Sequence, residues 1–418
     1  MWSVGTVEAK SHGENEWKTA TLEQRFCVGD ALRTRHQSRA GVRLTNDTLL
    51  RLDGDSALTF THIEEKTRSL LDLLMGAVHF ISRTQKRLEV KTPYVNASIE
   101  GTEFVVRIKD AATEVTVFEG HVVASNTSGS IELAANQTGR AVSNQAPIRS
   151  TRANPLDAVA WALYYPPLPK RPGIADALAQ QTIAAIAQNR IEDAVGLAKR
   201  AIAADDQSAA AFMAQSYVDQ AQFDIPAALS NSQKAAELAP QSALTQARLA
   251  EVWLMSGHTR AAYRAATQAV SLDPNLSPAR AVQGFASLKK VDLDEARAAF
   301  EEAITLDSAA PLPRLGLGLV KIRRGALQSG RLEIETAALL DPNNALLRSY
   351  MGKAYYEEKR NGLASEQFAM AKALDPNDPT AWFYDSILLQ SINRPVDALH
   401  AQLQAIERND KRGVYRSR

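Results

Sequence analysis

A chain of 418 residues is long enough for two or three domains, and a formal net charge of +1 gives no broad electrostatic case for binding nucleic acid or anionic lipid. The lone cysteine, Cys27, excludes an internal disulfide, although a bacterial envelope protein can do without one. There is no run of 18 apolar residues, so no transmembrane helix is predicted.

The opening "MWSVGTVEAKSHG" carries no signal peptide and enters a predicted strand almost at once. Period-two alternation then prevails to about Ala135. Phe104, Val106 and Ile108 point one way, and Arg107 and Lys109 the other; Val115 and Val117 alternate with Glu114 and Thr116. Val78 and Phe80 flank His79, and Leu88 and Val90 flank Glu89. Turn signals separate these runs at Val28–Asp30, Thr45–Asp47, Glu100–Thr102, Phe118–His121 and Thr127–Ser130. Many short strands so spaced predict an all-β domain, a sandwich or a coiled sheet, and not a doubly wound fold. Cys27, between Phe26 and Val28, reads as a small core residue.

Five phrases in this region are "CVGDALRT", "GVRLTNDTLLRLDGDSALTF", "LLDLLMGAVHF", "VKTPYVNASIEGTEFVV" and "TEVTVFEGHVVAS". Together, and in that order, they resemble the FecR-type periplasmic domain over about Val4 to Arg140, with "GTEF" (Gly101 to Phe104) the most telling piece. The resemblance implies an elongated, solenoid-like or sandwich-like all-β domain over residues 1–140, periplasmic or otherwise extracytoplasmic in a bacterium. In iron-uptake regulators such a domain follows a membrane helix and a short anti-sigma segment. Neither occurs in this sequence, which sets a plain binding module against a sigma-regulator role.

Residues 141–172 form a linker. Its first part is polar and aperiodic; a short apolar helix is predicted from about Leu156 to Tyr164, stopped by Pro166 and Pro167. Spanning a bilayer takes about 20 residues, so this helix is too short for that. Trp161, Tyr164 and Tyr165 are expected either to anchor the next domain's first helix against the β domain or to be buried core.

From residue 173 to 410 the chain keeps a period of 34 residues. "SLDPN", "LLDPN" and "ALDPN" end at Asn275, Asn343 and Asn377, and "TLDSAA" holds the missing place with Asp307. Ala201, Ala235, Ala269, Ala303, Ala337, Ala371 and Ala405 form one column of small residues. Ala194, Ala228, Ala262, Ala296, Gly330, Ala364 and Ala398 form a second. The pattern predicts about seven antiparallel helix pairs, packed closely at the small residues and closed by Asp-Pro. Helices of about a dozen residues are marginal alone, so stacking must hold them.

The period, the small columns and the terminal proline resemble the tetratricopeptide repeat family. Gly284, Ala296, Phe300 and Ala303 in one unit, and Gly352, Tyr355, Ala364, Phe368, Ala371 and Pro376 in another, occupy the family's small and aromatic positions. The resemblance implies an all-α superhelix following the β domain. Residues 411–418 read as a basic tail, and the abrupt ends suggest a piece of a longer envelope protein that continues into an outer-membrane part.

Catalytic chemistry is not legible. The seven histidines (His12, His36, His62, His79, His121, His258 and His400) show no metal-ligand spacing and read as surface or strand-face residues. "GLGLVKIRRG" lacks the phosphate-loop spacing, and Gly318 shares a column with Gly284 and Gly352, which makes it a packing glycine. The pairs Glu64-Glu65, Glu301-Glu302 and Glu357-Glu358 read as solvated faces. No enzyme activity, cofactor or metal is predicted.

What remains is the hollow lined by the first helix of each pair. By the family register its candidates are Met213, Tyr217, Glu251, Phe285, Lys289, Leu319, Arg323, Lys353, Tyr356 and Phe383. The set is apolar with basic residues in the middle. It suits an extended or helical peptide with apolar anchors and an acid or two. The asparagine and lysine clamp of chaperone-tail binders is not seen, so a co-chaperone role is disfavoured. The expectation is a non-catalytic envelope scaffold that binds a protein or peptide, not nucleic acid. The alternatives are an envelope sensor related to FecR-type regulators and part of a larger outer-membrane protein.

Overall fold

A computed structural model describes residues 2–22, 24–63, 68–82, 87–99, 102–150, 158, 164 and 166–412, and divides the chain into two units, Met1–Ala162 and Leu163–Arg418. Trp161, Tyr165, the Glu64-Glu65 pair, Glu100, Gly101, most of the predicted helix from Leu156 to Tyr164 and residues 413–418 lie outside the described residues.

The first unit is all-β. Its strands are β1 (Trp2–Val4), β2 (Val7–Lys10), β3 (Lys18–Thr19), β4 (Ala31–Thr34), β5 (Arg39–Arg43), β6 (Leu49–Leu52), β7 (Ala57–Ile63) and β8 (Arg68–Ile81). They continue with β9 (Arg87–Lys91), β10 (Asn96–Ile99), β11 (Glu103–Lys109), β12 (Ala112–Glu119), β13 (His121–Asn126), β14 (Gly129–Ala134), β15 (Thr138–Val142) and β16 (Ile148–Ser150).

The 14-residue β8 belongs to two layers. Its first part pairs with β7 and, in parallel, with β9; its second part pairs with β6 and β11. The turn between the parts is Gly76, at φ +85, where a Cβ would stand 2.1 Å from Ser56 Oγ. Only glycine fits so close an approach in that backbone region. The two layers then share one core. Leu32, Leu58, Leu71, Val90 and Ala97 come from one, and Leu50, Val78, Phe80, Phe104 and Val106 from the other. The rings of Phe80 and Phe104 stack at 4.6 Å.

The alternation read from the sequence holds for the core-facing side. Val78, Phe80, Phe104, Val106, Val115 and Val117 are buried in that core. Two readings are corrected. Cys27 is exposed, its N–H donating to Asp30 Oδ2 at 2.7 Å, because it sits in a turn and not in a strand. His79 keeps the strand face of its reading but is not at the surface: it is fully buried, with Nε2 3.0 Å from Glu103 Oε1 on the neighbouring strand.

The second unit is all-α: helices α1 (Ile174–Ala187), α2 (Ile191–Ala204), α3 (Ala209–Ala221), α4 (Ile225–Leu238), α5 (Ala243–Met255), α6 (Thr259–Leu272) and α7 (Ser277–Lys289). Then follow α8 (Leu293–Leu306), α9 (Pro311–Arg323), α10 (Leu327–Leu340), α11 (Ala345–Glu357), α12 (Asn361–Leu374), α13 (Pro379–Ser391) and α14 (Pro395–Arg412). They pair in order as seven hairpins. The second helices of the pairs begin at Ile191, Ile225, Thr259, Leu293, Leu327, Asn361 and Pro395, in step with the 34-residue period.

Both small-residue columns face inward. Ala201, Ala235, Ala269, Ala303, Ala337 and Ala371 are wholly buried, and Ala405 is 5% exposed. Aromatic rings fill the slots left by glycine: a Cβ on Gly284 would lie 2.6 Å from Phe300 Cε1, and one on Gly352 would lie 2.5 Å from Phe368 Cε1. Gly316 and Gly318, inside α9, pack against Phe300 and Ile334 and form no phosphate loop.

The Asp-Pro column ends helices by local hydrogen bonds. Asp273 and Asp375 cap α6 and α12, and each carboxylate accepts the N–H two residues on, at 2.9 Å from Asn275 and Asn377. Asp378 then caps the start of α13, accepting from the N–H of Thr380 at 2.8 Å, with Pro379 in the first turn. The array curls far enough for its first hairpin to meet its sixth: Asn189 Nδ2 donates to the carbonyl of Leu374 at 2.9 Å.

Candidate functional site

The first helices of the hairpins carry the ten candidate residues, and the structure gathers them into three groups. At the near end, α3 supplies Met213 and Tyr217, and α5 supplies Glu251. Met213 is 2% exposed and lies in a cluster with Ala179, Ile183, Ala210 and Ala214, with Tyr217 packed against it. Glu251 Oε2 accepts from Arg248 Nη1 at 2.8 Å. Burial, then the Glu251 carboxylate, pushes the Tyr217 phenol well above its ordinary pKa, against the opposing effect of Arg248.

Arg248 is the residue the repeat register missed. It is 1% exposed, and its guanidinium lies 3.6 Å from the centre of the Tyr217 ring. Nε donates to Ser216 Oγ at 2.8 Å, Nη2 to Ser216 O at 2.9 Å, and Nη1 also to Gln220 Oε1 at 2.7 Å. Nothing in the 34-residue spacing marks it, since its counterpart one unit on is Val282. Nearby, Asp219 accepts from Gln215 and Asn231 at 2.7 Å each, and burial raises its carboxyl above the usual range.

In the middle, Phe285 of α7 stands edge-on to Phe300 at 4.8 Å, and Leu319 of α9 is half-buried. Phe285, Leu319 and Tyr356 pack against one core cluster that includes Met351 and Tyr355. Lys289 and Arg323 are exposed. Arg323 Nη1 reaches the carbonyl of Leu288, next to Lys289, at 3.4 Å, so two cations share one surface. At the far end, Lys353 lies 5.8 Å from the Tyr384 ring and 3.4 Å from Glu357, and Lys359 lies 5.5 Å from the Tyr356 ring. Phe383 packs edge-on to Tyr384 at 5.4 Å and keeps 49% of its surface exposed.

Glu358 corrects the reading of Glu357-Glu358 as a solvated pair. Its carboxylate accepts from Arg331 Nε at 2.9 Å across the hairpin boundary, and Arg331 Nη1 also reaches Glu335 at 2.7 Å. Burial alone would lower the Arg331 pKa; the two carboxylates hold it above its ordinary value. Tyr355 Oη donates to the same Glu335 oxygen at 2.6 Å.

The β unit offers an open cleft lined by Val4, His36, Arg39, Asp53 and Asp55. His36 Nδ1 lies 3.0 Å from Asp55 Oδ2, and burial raises the Asp53 carboxyl above the usual range. Among the described residues there is no group of three or more His, Cys, Asp or Glu able to hold a metal, and no helix long and apolar enough to cross a membrane.

The FecR protein family model matches residues 30–123. Among curated proteins, none matches the chain. Among solved structures, the chain is similar to the APC/C hetero-tetramer Cut9–Hcn1 at 16% identity and TM-score 0.47, over 56% of this chain and 46% of that one. It thus spans under half of that relative. A tetratricopeptide repeat protein from Parabacteroides merdae is similar at 13% identity and TM-score 0.39, over 56% of this chain and 92% of that one. A candidate anti-sigma factor from Parabacteroides distasonis is similar at 17% identity and TM-score 0.29, over 37% of this chain and 74% of that one. A stretch that matches the FecR protein family is therefore joined, in this chain, to a helical array of the tetratricopeptide type.

Proposed function

We propose that the chain is a non-catalytic cell-envelope protein that binds another protein or a peptide in the hollow of its helical array, with the β unit as a second binding module. The observation that carries this reading is the division of the hollow's lining. Half-buried aromatic and aliphatic groups lie at Tyr217, Phe285 and Leu319 beside the buried Met213, and exposed cations are carried by the same run of first helices at Lys289 and Arg323. Apolar pockets supply affinity for an extended or helical segment, and the two cations select one bearing an acid. Hairpins held by buried small residues keep the surface preformed, so little ordering entropy is lost on binding.

The test is affinity capture from a bacterial envelope extract, comparing the full chain with Lys289→Glu/Arg323→Glu. A specific partner captured by the parent and lost by the variant supports the reading; identical partner sets remove the cationic surface from consideration. A second reading, an envelope sensor, is favoured by the FecR match over residues 30–123. It predicts that a sigma-factor reporter responds when this gene is deleted, and a silent reporter would set it aside. Either role places the protein in the periplasm or elsewhere outside the cytoplasm.

A further inference from the structure

The stretch just before the first hairpin is rich in proline: Pro166, Pro167 and Pro169 surround Leu168. Residues 166–171 form no helix or strand in the structure. Within the second unit they do not hang free. Leu168 is 2% exposed and belongs to the same buried cluster as Ala179 and Ile183 of α1, Met213 and Ala214 of α3, and Ala235 of α4. The N–H of Arg171 donates to Asp176 Oδ2 in the first turn of α1, and Asp176 Oδ1 accepts from Ser208 Oγ, the cap of α3, at 2.9 Å. One carboxylate thus moors the end of the stretch to two helices of the array.

Tyr164 is half-buried at the other end of the stretch. Its phenol is pushed well above its ordinary pKa by burial, then by the charges of Asp307, Glu251 and Asp341 and the phenol of Tyr217. Tyr217 and Glu251 belong to α3 and α5, and Asp307 and Asp341 cap the ends of α8 and α10. Met213, Tyr217 and Glu251 are also the near-end lining residues of the hollow. Tyr164 and Leu168 stand four residues apart on a proline-held stretch, about 12 Å when extended. An extended stretch fixed by proline loses little freedom on docking, which is what a groove ligand needs.

We infer that Tyr164 and Pro166–Lys170 are an internal occupant of the near end of the groove, and that the partner bound there is an extended, proline-interrupted segment with an aromatic and a leucine four residues apart, which binds by displacing them. The inference rests on the groove reading above and adds the ligand class and a built-in competitor. A tethered occupant competes at an effective concentration in the millimolar range, so the groove responds to partners that are abundant or that also engage the cationic surface.

The probe is a fluorescein-labelled peptide of the chain's own sequence, LYYPPLPK, measured by fluorescence anisotropy. The full chain is compared with Tyr164→Ser/Leu168→Ser, and helix content is followed by circular dichroism. The expected result is an about tenfold or greater gain in affinity in the double variant, reversed by an excess of unlabelled peptide but not by one with its leucine replaced by serine. Equal binding by both proteins, or none by a variant that keeps its helix content, overturns the inference. Loss of helix content in the variant also overturns it, since the stretch would then be core and not an occupant. The peptide carries no acid, so its binding is independent of Lys289 and Arg323. If the peptide fails while envelope capture still depends on those cations, the occupant is refuted and the groove reading stands. If the peptide binds while capture ignores them, the groove reading fails at its cationic surface and the occupant stands.

Discussion

Arg248 ties together polar groups of α3 and α5. Its guanidinium is buried and meets Ser216, Gln220, Glu251 and the Tyr217 ring. Truncation leaves those partners facing an uncompensated void, so Arg248→Ala is expected to destabilise the helical unit by about 3–5 kcal/mol in urea unfolding followed by circular dichroism. Arg248→Lys is expected to recover less than half of the loss, because an ammonium cannot reproduce the planar fork. A second residue-scale test uses pH. Burial would raise the Glu333 carboxyl, but Arg314 and Lys321 hold it below its ordinary value of 4.5. Its folded pKa therefore lies under its unfolded one. The stabilisation is complete above the unfolded value and is lost as pH falls through the folded one. Glu333→Gln should cost about 2 kcal/mol at neutral pH, and the difference from the parent should shrink as pH drops below 4.5 in urea titrations. Neither residue was legible in the sequence. A buried arginine needs acceptors from a neighbouring hairpin, and those acceptors follow no period.

At the scale of the element, each hairpin turns through one residue in left-handed backbone. These residues are Asn189, Phe223, Gly257, Val291, Gly325, Lys359 and Asn393, with φ between 58 and 84, spaced by the same 34 residues. Asparagine and glycine tolerate that region; a β-branched valine does not. Val291→Gly is expected to stabilise the unit by about 1 kcal/mol, read as a higher urea midpoint, because the relief of backbone strain outweighs glycine's extra unfolded-state entropy. Gly284→Ala works in the other direction. Its new methyl would press on the Phe300 ring, and overpacking of this kind costs about 1–3 kcal/mol. The small-residue columns were readable because one physical demand, close approach, selects one class of side chain. The turning residues were not, because backbone geometry alone fixes them and seven hairpins meet it with five residue types. The same holds for β8. Its sequence "RSLLDLLMGAVHFI" is apolar on both faces, and only Gly76 hints that the strand leaves one layer for the other.

At the scale of the whole molecule, the two units pose different problems. The helical one repeats a local solution seven times, so its architecture follows from a period. The β one depends on pairings far apart in sequence, such as β4 with β7 and β10 with β13, which no local pattern specifies. The candidate site rests on the first property, since the repeat register alone named its ten residues. The proline stretch stands outside the repeat, and so the burial of Leu168 among α1, α3 and α4 was hidden. The array's curl brings Asn189 onto the carbonyl that ends α12, a neutral hydrogen bond worth about 1 kcal/mol. Asn189→Ala should leave helix content intact and quicken peptide association in stopped-flow traces; an unchanged rate would mean that the contact gates nothing. In mechanical terms the array is a split washer with a latch across its gap. On that expectation a long or folded guest would enter from the side only when the latch parts, and the hollow would sort its visitors by how soon they can thread or pry, before it sorts them by fit.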